Sequence, residues 1–162
     1  MDPLERLLAE RACERLVIDF AHRLDLGDPS SVAALFTEDG WWQWPPPGDG
    51  RRVAGRQAIA AYFGSRPPDR LSRRVMSNIL ITVDAPDTVP DTAMDPDTAT
   101  ATGTSYFQTY RVDGYAGEMV PAGAPVQVGH YEDVFRRVAG RWLLASRSLV
   151  LPFGGATPRA GR

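Results

Sequence analysis

The stretch Val126–Leu151 sets the strongest limit on what this chain can fold into. It reads VQVGHYEDVFRRV, then Ala139-Gly140, then RWLLASRSLVL. Two long runs rich in β-branched, aromatic and leucine residues flank a two-residue turn, whose glycine takes φ > 0 without steric cost. The pattern predicts a β-hairpin. At ~3.3 Å per residue each arm reaches roughly 35–40 Å, about twice the usual strand length. Strands that long twist, and a sheet built from them curls into an open cone or half-barrel. A curled sheet has a concave face that other elements must fill. The N-terminal helices are the available filler, and incomplete filling leaves a small-molecule pocket.

The remaining segments supply that filler and the other strands. Asp2-Pro3-Leu4-Glu5 has the features of a helix start: a capping aspartate, proline at the first helical position, and glutamate at the capping-box position. Ala9, Ala12, Cys13, Leu16, Val17, Phe20 and Leu24 then form one apolar stripe at helical spacing, with His22 on the opposite face. Gly27 closes this helix, and Asp28-Pro29 opens a second one with Val32, Leu35 and Phe36 on its apolar face. Thr37–Gly40 reads as a turn and Trp41–Trp44 as a short strand, stopped by Pro45-Pro46-Pro47-Gly48. Three tryptophans on alternating faces cannot all be core, so at least one borders a cavity or an interface.

Arg56–Gly64 is a short helix with Ile59, Tyr62 and Phe63 apolar. Ser72–Asp84 is a strand whose two alternating sets are Arg74, Met76, Asn78, Leu80, Thr82 and Val75, Ser77, Ile79, Ile81, Val83. Ala85–Asp97 repeats Pro-Asp-Thr and reads as a solvated loop. Thr98–Val112 is a long strand, and Asp113–Ala124 a glycine-containing connection to the closing hairpin. Helices first and antiparallel strands afterwards make an α+β domain over residues 1–153, with 154–162 a flexible tail.

Composition removes several function classes. The net charge of −2 supplies no electrostatic reason for nucleic-acid binding. No apolar run approaches the ~18–20 residues needed to span a bilayer. Without a leader-type signal the expected compartment is the cytoplasm. The single cysteine, Cys13, falls on the apolar stripe and reads as a buried thiol. No CxxC, HExxH or Walker-type loop is present, so neither metal nor nucleotide has a motif, and no cofactor is expected.

Taken in order, four segments resemble the SnoaL-like branch of the nuclear-transport-factor-two-like superfamily. They are Leu24–Asp28 with Leu35–Trp41, Gly55–Phe63, Ser77–Asp84, and Tyr131–Arg136 with Gly140-Arg141-Trp142 and Arg147. The resemblance spans roughly residues 5 to 151. It implies a curved mixed, mostly antiparallel sheet wrapped around N-terminal helices as a cone-like α+β barrel, usually paired as a homodimer through the outer sheet face. Members include polyketide cyclases, dehydratases, isomerases and non-catalytic subunits. The leading expectation is cofactor-free cyclisation, dehydration or isomerisation of a hydrophobic, polyketide-like or terpenoid-like molecule by acid–base chemistry; the alternative is a non-catalytic ligand-binding or assembly subunit of the same fold.

The resemblance also implies a site aspartate at the end of the first helix, which is Asp25. Either it works as a general acid or base in a dry pocket, or it bonds neighbouring backbone N–H groups. Dehydratase-like relatives carry a tyrosine where Phe20 stands and a histidine where Arg74 stands. Arginine is no general base, but it can hold a carboxylate or a developing oxyanion; the alternative is a strand-end arginine in solvent. His130 replaces the missing base if its strand face is concave, and sits on the outer surface if not. Arg147 of the last strand needs a partner: Asp25, Glu132, Asp133 or a substrate anion. Phe20, Trp42, Trp44, Tyr62, Met76 and Tyr106 are the expected pocket-shaping residues, and Asn78 an orienting hydrogen-bond group.

Overall fold

The computed structural model describes residues 1–44, 51–84 and 99–161. The Pro45–Gly48 stop and the whole Ala85–Asp97 loop lie outside the described residues. Helix α1 spans Pro3–Asp25 and begins with the expected capping box: Asp2 accepts from the Leu4 and Glu5 backbone N–H groups, and the Asp2 N–H donates to the Glu5 carboxylate. Its buried face is Ala9, Cys13, Val17, Phe20, Ala21 and Leu24, close to the stripe read from the sequence. The second helix is a 3₁₀ helix, Pro29–Leu35, capped by the Asp28 side chain at Ser30.

Strand β1, Phe36–Gln43, starts earlier than the sequence pattern predicts. The Thr37–Gly40 segment is an irregularity within the strand rather than a turn between elements, because the register against the last strand slips between Phe36 and Trp41. Then come β2 (Arg52–Ala54), α2 (Arg56–Gly64), β3 (Leu71–Asp84), β4 (Thr100–Val112), β5 (Gln127–Val138) and β6 (Arg141–Gly154). These strands form one six-stranded sheet in the order β2-β1-β6-β5-β4-β3. The β1–β6 pair is parallel and the others antiparallel. The α+β class and the mixed, curled sheet are as expected.

The β5–β6 hairpin turns on Ala139 and Gly140, both at positive φ (48° and 75°), as a tight two-residue loop needs to match the strand twist. Register shifts at Ser77/Leu80, Val128/His130 and Val134/Phe135 bend the sheet. A side chain at Gly129, beside the second of these, would run into the Val150 carbonyl oxygen. The first shift joins two half-faces of β3. Ser72, Arg74 and Met76 turn towards the helices before it, and Ile79, Ile81 and Val83 after it. Strict alternation puts Arg74 and Ile79 on opposite faces, and the bulge brings them to the same one. Asn78 absorbs the extra residue at φ 49°, a conformation asparagine tolerates.

The concave face carries the core. Phe20 stacks on Trp42 at 5.7 Å and meets Phe36, Phe63 and Tyr131 edge-on. The tail, read as flexible, makes a backbone anchor: Asp113 pairs with the segment around Arg159. No helix among the described residues is long and apolar enough to cross a membrane.

Candidate active-site pocket

A cavity of about 220 Å³ lies between the C-terminal end of α1, α2 and the concave sheet face. Its apolar wall is Leu24, Trp42, Trp44, Tyr62, Phe63 and Leu149. Its polar wall is Arg66, Arg70, Arg74, Arg111, Gln127 and Tyr131. A wider hollow of about 890 Å³ lies under residues 114–124, but it is lined mainly by that connecting segment and the tail. Ionisable groups converge in the smaller cavity.

Asp25 is the last residue of α1, so its position is set by where the helix stops against β3. One carboxylate oxygen accepts from the Ser72 hydroxyl at 2.8 Å and from the Arg74 guanidinium. The other accepts from the Arg74 backbone N–H. Both side chains are almost enclosed, at 6% and 8% exposure. This answers the two readings of Arg74: it is an internal cation paired with Asp25, its guanidinium also donates to the Ser72 hydroxyl at 3.3 Å, and it lines the cavity together with Tyr131. Burial raises the Tyr131 phenol above its ordinary value, against the lowering pull of Arg74 and Arg147. At neutral pH it is therefore a proton donor.

The remaining arginines divide into two kinds. Arg70 holds Asp113 through two contacts, at 2.6 and 3.2 Å, and this keeps the Asp113 carboxyl below the usual range. Among the described residues the Arg66 side chain donates only to the Leu24 carbonyl, at 3.3 Å. Arg111 donates to the Gln127 side chain at 2.6 Å, and its Nε is buried without a partner among the described residues.

The sequence candidates separate accordingly. Trp42, Trp44, Tyr62 and Arg74 line the cavity, with the Trp44 indole N–H donating to the Tyr62 hydroxyl. Asp25 stands directly behind Arg74. Phe20 lies one layer deeper, 1% exposed, beneath Trp42. Met76 packs on the core outside the cavity wall. Asn78 is exposed at the β3 bulge and Tyr106 is exposed on the convex face.

His130 is not part of the pocket. It pairs with Tyr106 and Val150 on the outer face, with its ring 6.1 Å from that of Tyr106. The inward phase of β5 belongs instead to Gly129, Tyr131, Asp133 and Phe135, because two aromatic rings bury more apolar surface than His130 and Glu132 could.

Arg147 is fully buried and bonded twice to Asp133, at 2.7 Å each, between the rings of Phe20 and Tyr131. It is an internal ion pair beneath the site. Cys13 is buried, and burial first, then Asp133 and Glu10, pushes its thiol up to about 12. It is an inert core residue.

Sequence reasoning does not single out Tyr131, Arg66, Arg70 or Arg111. Arg111 continues the inward alternation of Phe107 and Thr109, which is the signal that could have found it. Arg66 follows α2 in an ordinary-looking Ser-Arg-Pro-Pro turn, and nothing local marks it.

A cone of helices and curled sheet with a polar-ended pocket at the tip of the first helix defines a protein of the nuclear-transport-factor-two-like, cystatin-like fold. The chain belongs to the SnoaL-like domain family, whose profile matches residues 5–148. Among solved structures it is similar to a provisionally named scytalone dehydratase from Novosphingobium aromaticivorans, with 26% identity, a TM-score of 0.63, and 96% and 95% of the two chains covered. It is also similar to ActVI-ORFA from Streptomyces coelicolor, at 24% identity and TM-score 0.65 over 90% and 97%. The fold alone is shared with LinA, at 16% identity and TM-score 0.71 over 100% and 97%. No curated protein matches the chain.

Proposed function

We propose that this chain is a cofactor-free enzyme that moves a proton on a hydrophobic ring compound, polyketide-like or terpenoid-like, in a cyclisation, dehydration or isomerisation. One observation carries the reading. Asp25, Ser72 and Arg74 form a hydrogen-bonded chain, and its Arg74 end lines an aromatic cavity together with Tyr131. Aromatic walls hold a ring by apolar burial and stacking. Arg74 and Tyr131 face the position of a substrate carbonyl oxygen and stabilise negative charge as it develops there. That oxygen draws the Arg74 guanidinium from Asp25, whose carboxylate then accepts the proton at the adjacent carbon. Family membership and the 26% identical dehydratase-named relative support a reaction of this kind. The outer sheet face pairs two copies of the chain.

A carrier without catalysis is favoured by one feature: both Asp25 oxygens already accept hydrogen bonds, so the carboxylate is committed before any ligand arrives. Deuterium exchange separates the two. In D₂O the enzyme takes deuterium into 1-tetralone or a related bicyclic ketone at the carbon beside the carbonyl, above the buffer rate. Tyr131→Phe lowers that rate about 10²–10³-fold, the loss typical of one oxyanion donor. Asp25→Asn abolishes it, and also lowers the melting temperature because Arg74 loses its counter-charge. Exchange at the buffer rate across a panel of such ketones would leave the carrier.

A further inference from the structure

We propose that the ligand of this pocket carries a carboxylate, and that Arg66 and Arg111 receive it. The inference rests on the pocket being the working site and adds the chemical class of what enters it. Four guanidinium groups border a cavity of about 220 Å³. Two have carboxylate partners, Arg74 with Asp25 and Arg70 with Asp113. Among the described residues no carboxylate lies within ion-pair distance of Arg66 or Arg111. Their only hydrogen-bond partners there are neutral oxygens, of Leu24 and Gln127. The Arg111 Nε–H is buried and has no acceptor among the described residues.

A half-buried cation facing other cations, as Arg66 and Arg111 do, is unfavourable unless something compensates it. The molecule carries the mark of that crowding. Burial, then Arg74 and Arg111, pushes the Arg66 guanidinium down to about 10, and burial, then Arg70 and Arg74, lowers Arg111. Both remain charged at neutral pH. Such an arrangement lowers the stability of the empty protein and is relieved by an anion, as expected of a binding site and not of a structural ion pair. The planar fork of an arginine also matches a carboxylate with two parallel hydrogen bonds. Opposite stand Trp42, Trp44 and Tyr62, so the anionic group belongs to a molecule with a ring.

Calorimetric titration with 1-naphthoate, its neutral analogue 1-naphthamide, and inorganic phosphate tests this on the intact chain. The expected result is naphthoate binding at least tenfold tighter than the amide, with affinity falling as salt is raised. Arg66→Gln and Arg111→Gln each weaken naphthoate at least tenfold and leave the amide unchanged. The empty variants melt no lower than the wild type, because a crowded charge has gone. Arg136→Gln, on the outer face against Asp39, leaves naphthoate binding unchanged.

Equal affinity for acid and amide would overturn the proposal without recourse to any variant. So would phosphate binding as tightly as naphthoate, which would mean a general anion site. The outcome is separable from the enzyme reading. Naphthoate binding without ketone exchange keeps the carboxylate site and rejects catalysis, and exchange without acid preference does the reverse.

Discussion

At the scale of single residues, the ionic groups inside this fold include a structural pair as well as candidate site groups, and the sequence does not sort one from the other. Arg147 illustrates the difficulty. On the sequence it is an arginine among leucines awaiting a partner, and a substrate anion is one option. In the structure it has no exposed surface, and Asp133 meets it with two parallel bonds. Removing one member of such a pair leaves an uncompensated charge in the core. Arg147→Met should therefore cost about 3–5 kcal/mol in urea unfolding. The double variant Arg147→Met, Asp133→Leu should recover much of that loss. A single variant as stable as the wild type would show that the pair is not holding the core. Asp25 is legible as a candidate site residue through the resemblance, and Arg74 as a candidate oxyanion holder through its chemistry. Tyr131 and the unpaired arginines are not, because side-chain convergence depends on which phase of each strand faces inward. That phase is decided by the packing of aromatic rings several strands away.

At the scale of elements, local chemistry is readable and irregularity is not. The α1 capping box, the Arg56–Gly64 helix and the closing hairpin follow from caps, periodicity and a two-residue turn, all of which act over a few residues. The β3 and β6 faces depart from strict alternation beyond their bulges. One extra residue reverses every later side chain, and nothing in SNILITV announces it. The hairpin turn itself retains strain. Ala139 stands at φ 48°, where an L-residue with a Cβ is disfavoured by about 1–2 kcal/mol. Ala139→Gly or Ala139→Asn should therefore stabilise the protein by about 0.5–1 kcal/mol, a rise of about 1–4 °C in Tm. Both replacements tolerate positive φ, and no ligand-binding residue is near. Melting curves in which neither variant gains would mean that the turn relaxes at no cost.

At the scale of the molecule, the sheet has two unlike faces. The concave face is filled by helices and holds the pocket. The convex face has no helix over it among the described residues, yet it is not polar: Val75 (50% exposed), Leu80 (67%), Tyr106 (54%) and Val134 (40%) share it. His130 and Glu132 stand among them, 3.6 Å apart. A surface that exposes large apolar residues on strands three abreast is what a second copy of the chain would cover. A stable pair buries about 800 Å² on each partner, a patch of about 20–30 residues. The pure protein should then sediment at twice its 17.7 kDa chain mass. Val134→Glu, placed beside Glu132 and facing its own symmetry mate, should return it to the monomer by burying like charges against each other. The pocket lies on the opposite face, so the monomeric variant should still bind 1-naphthoate with wild-type affinity. A wild-type chain that sediments at 17.7 kDa at all accessible concentrations would reject the pairing and leave this apolar surface open to water.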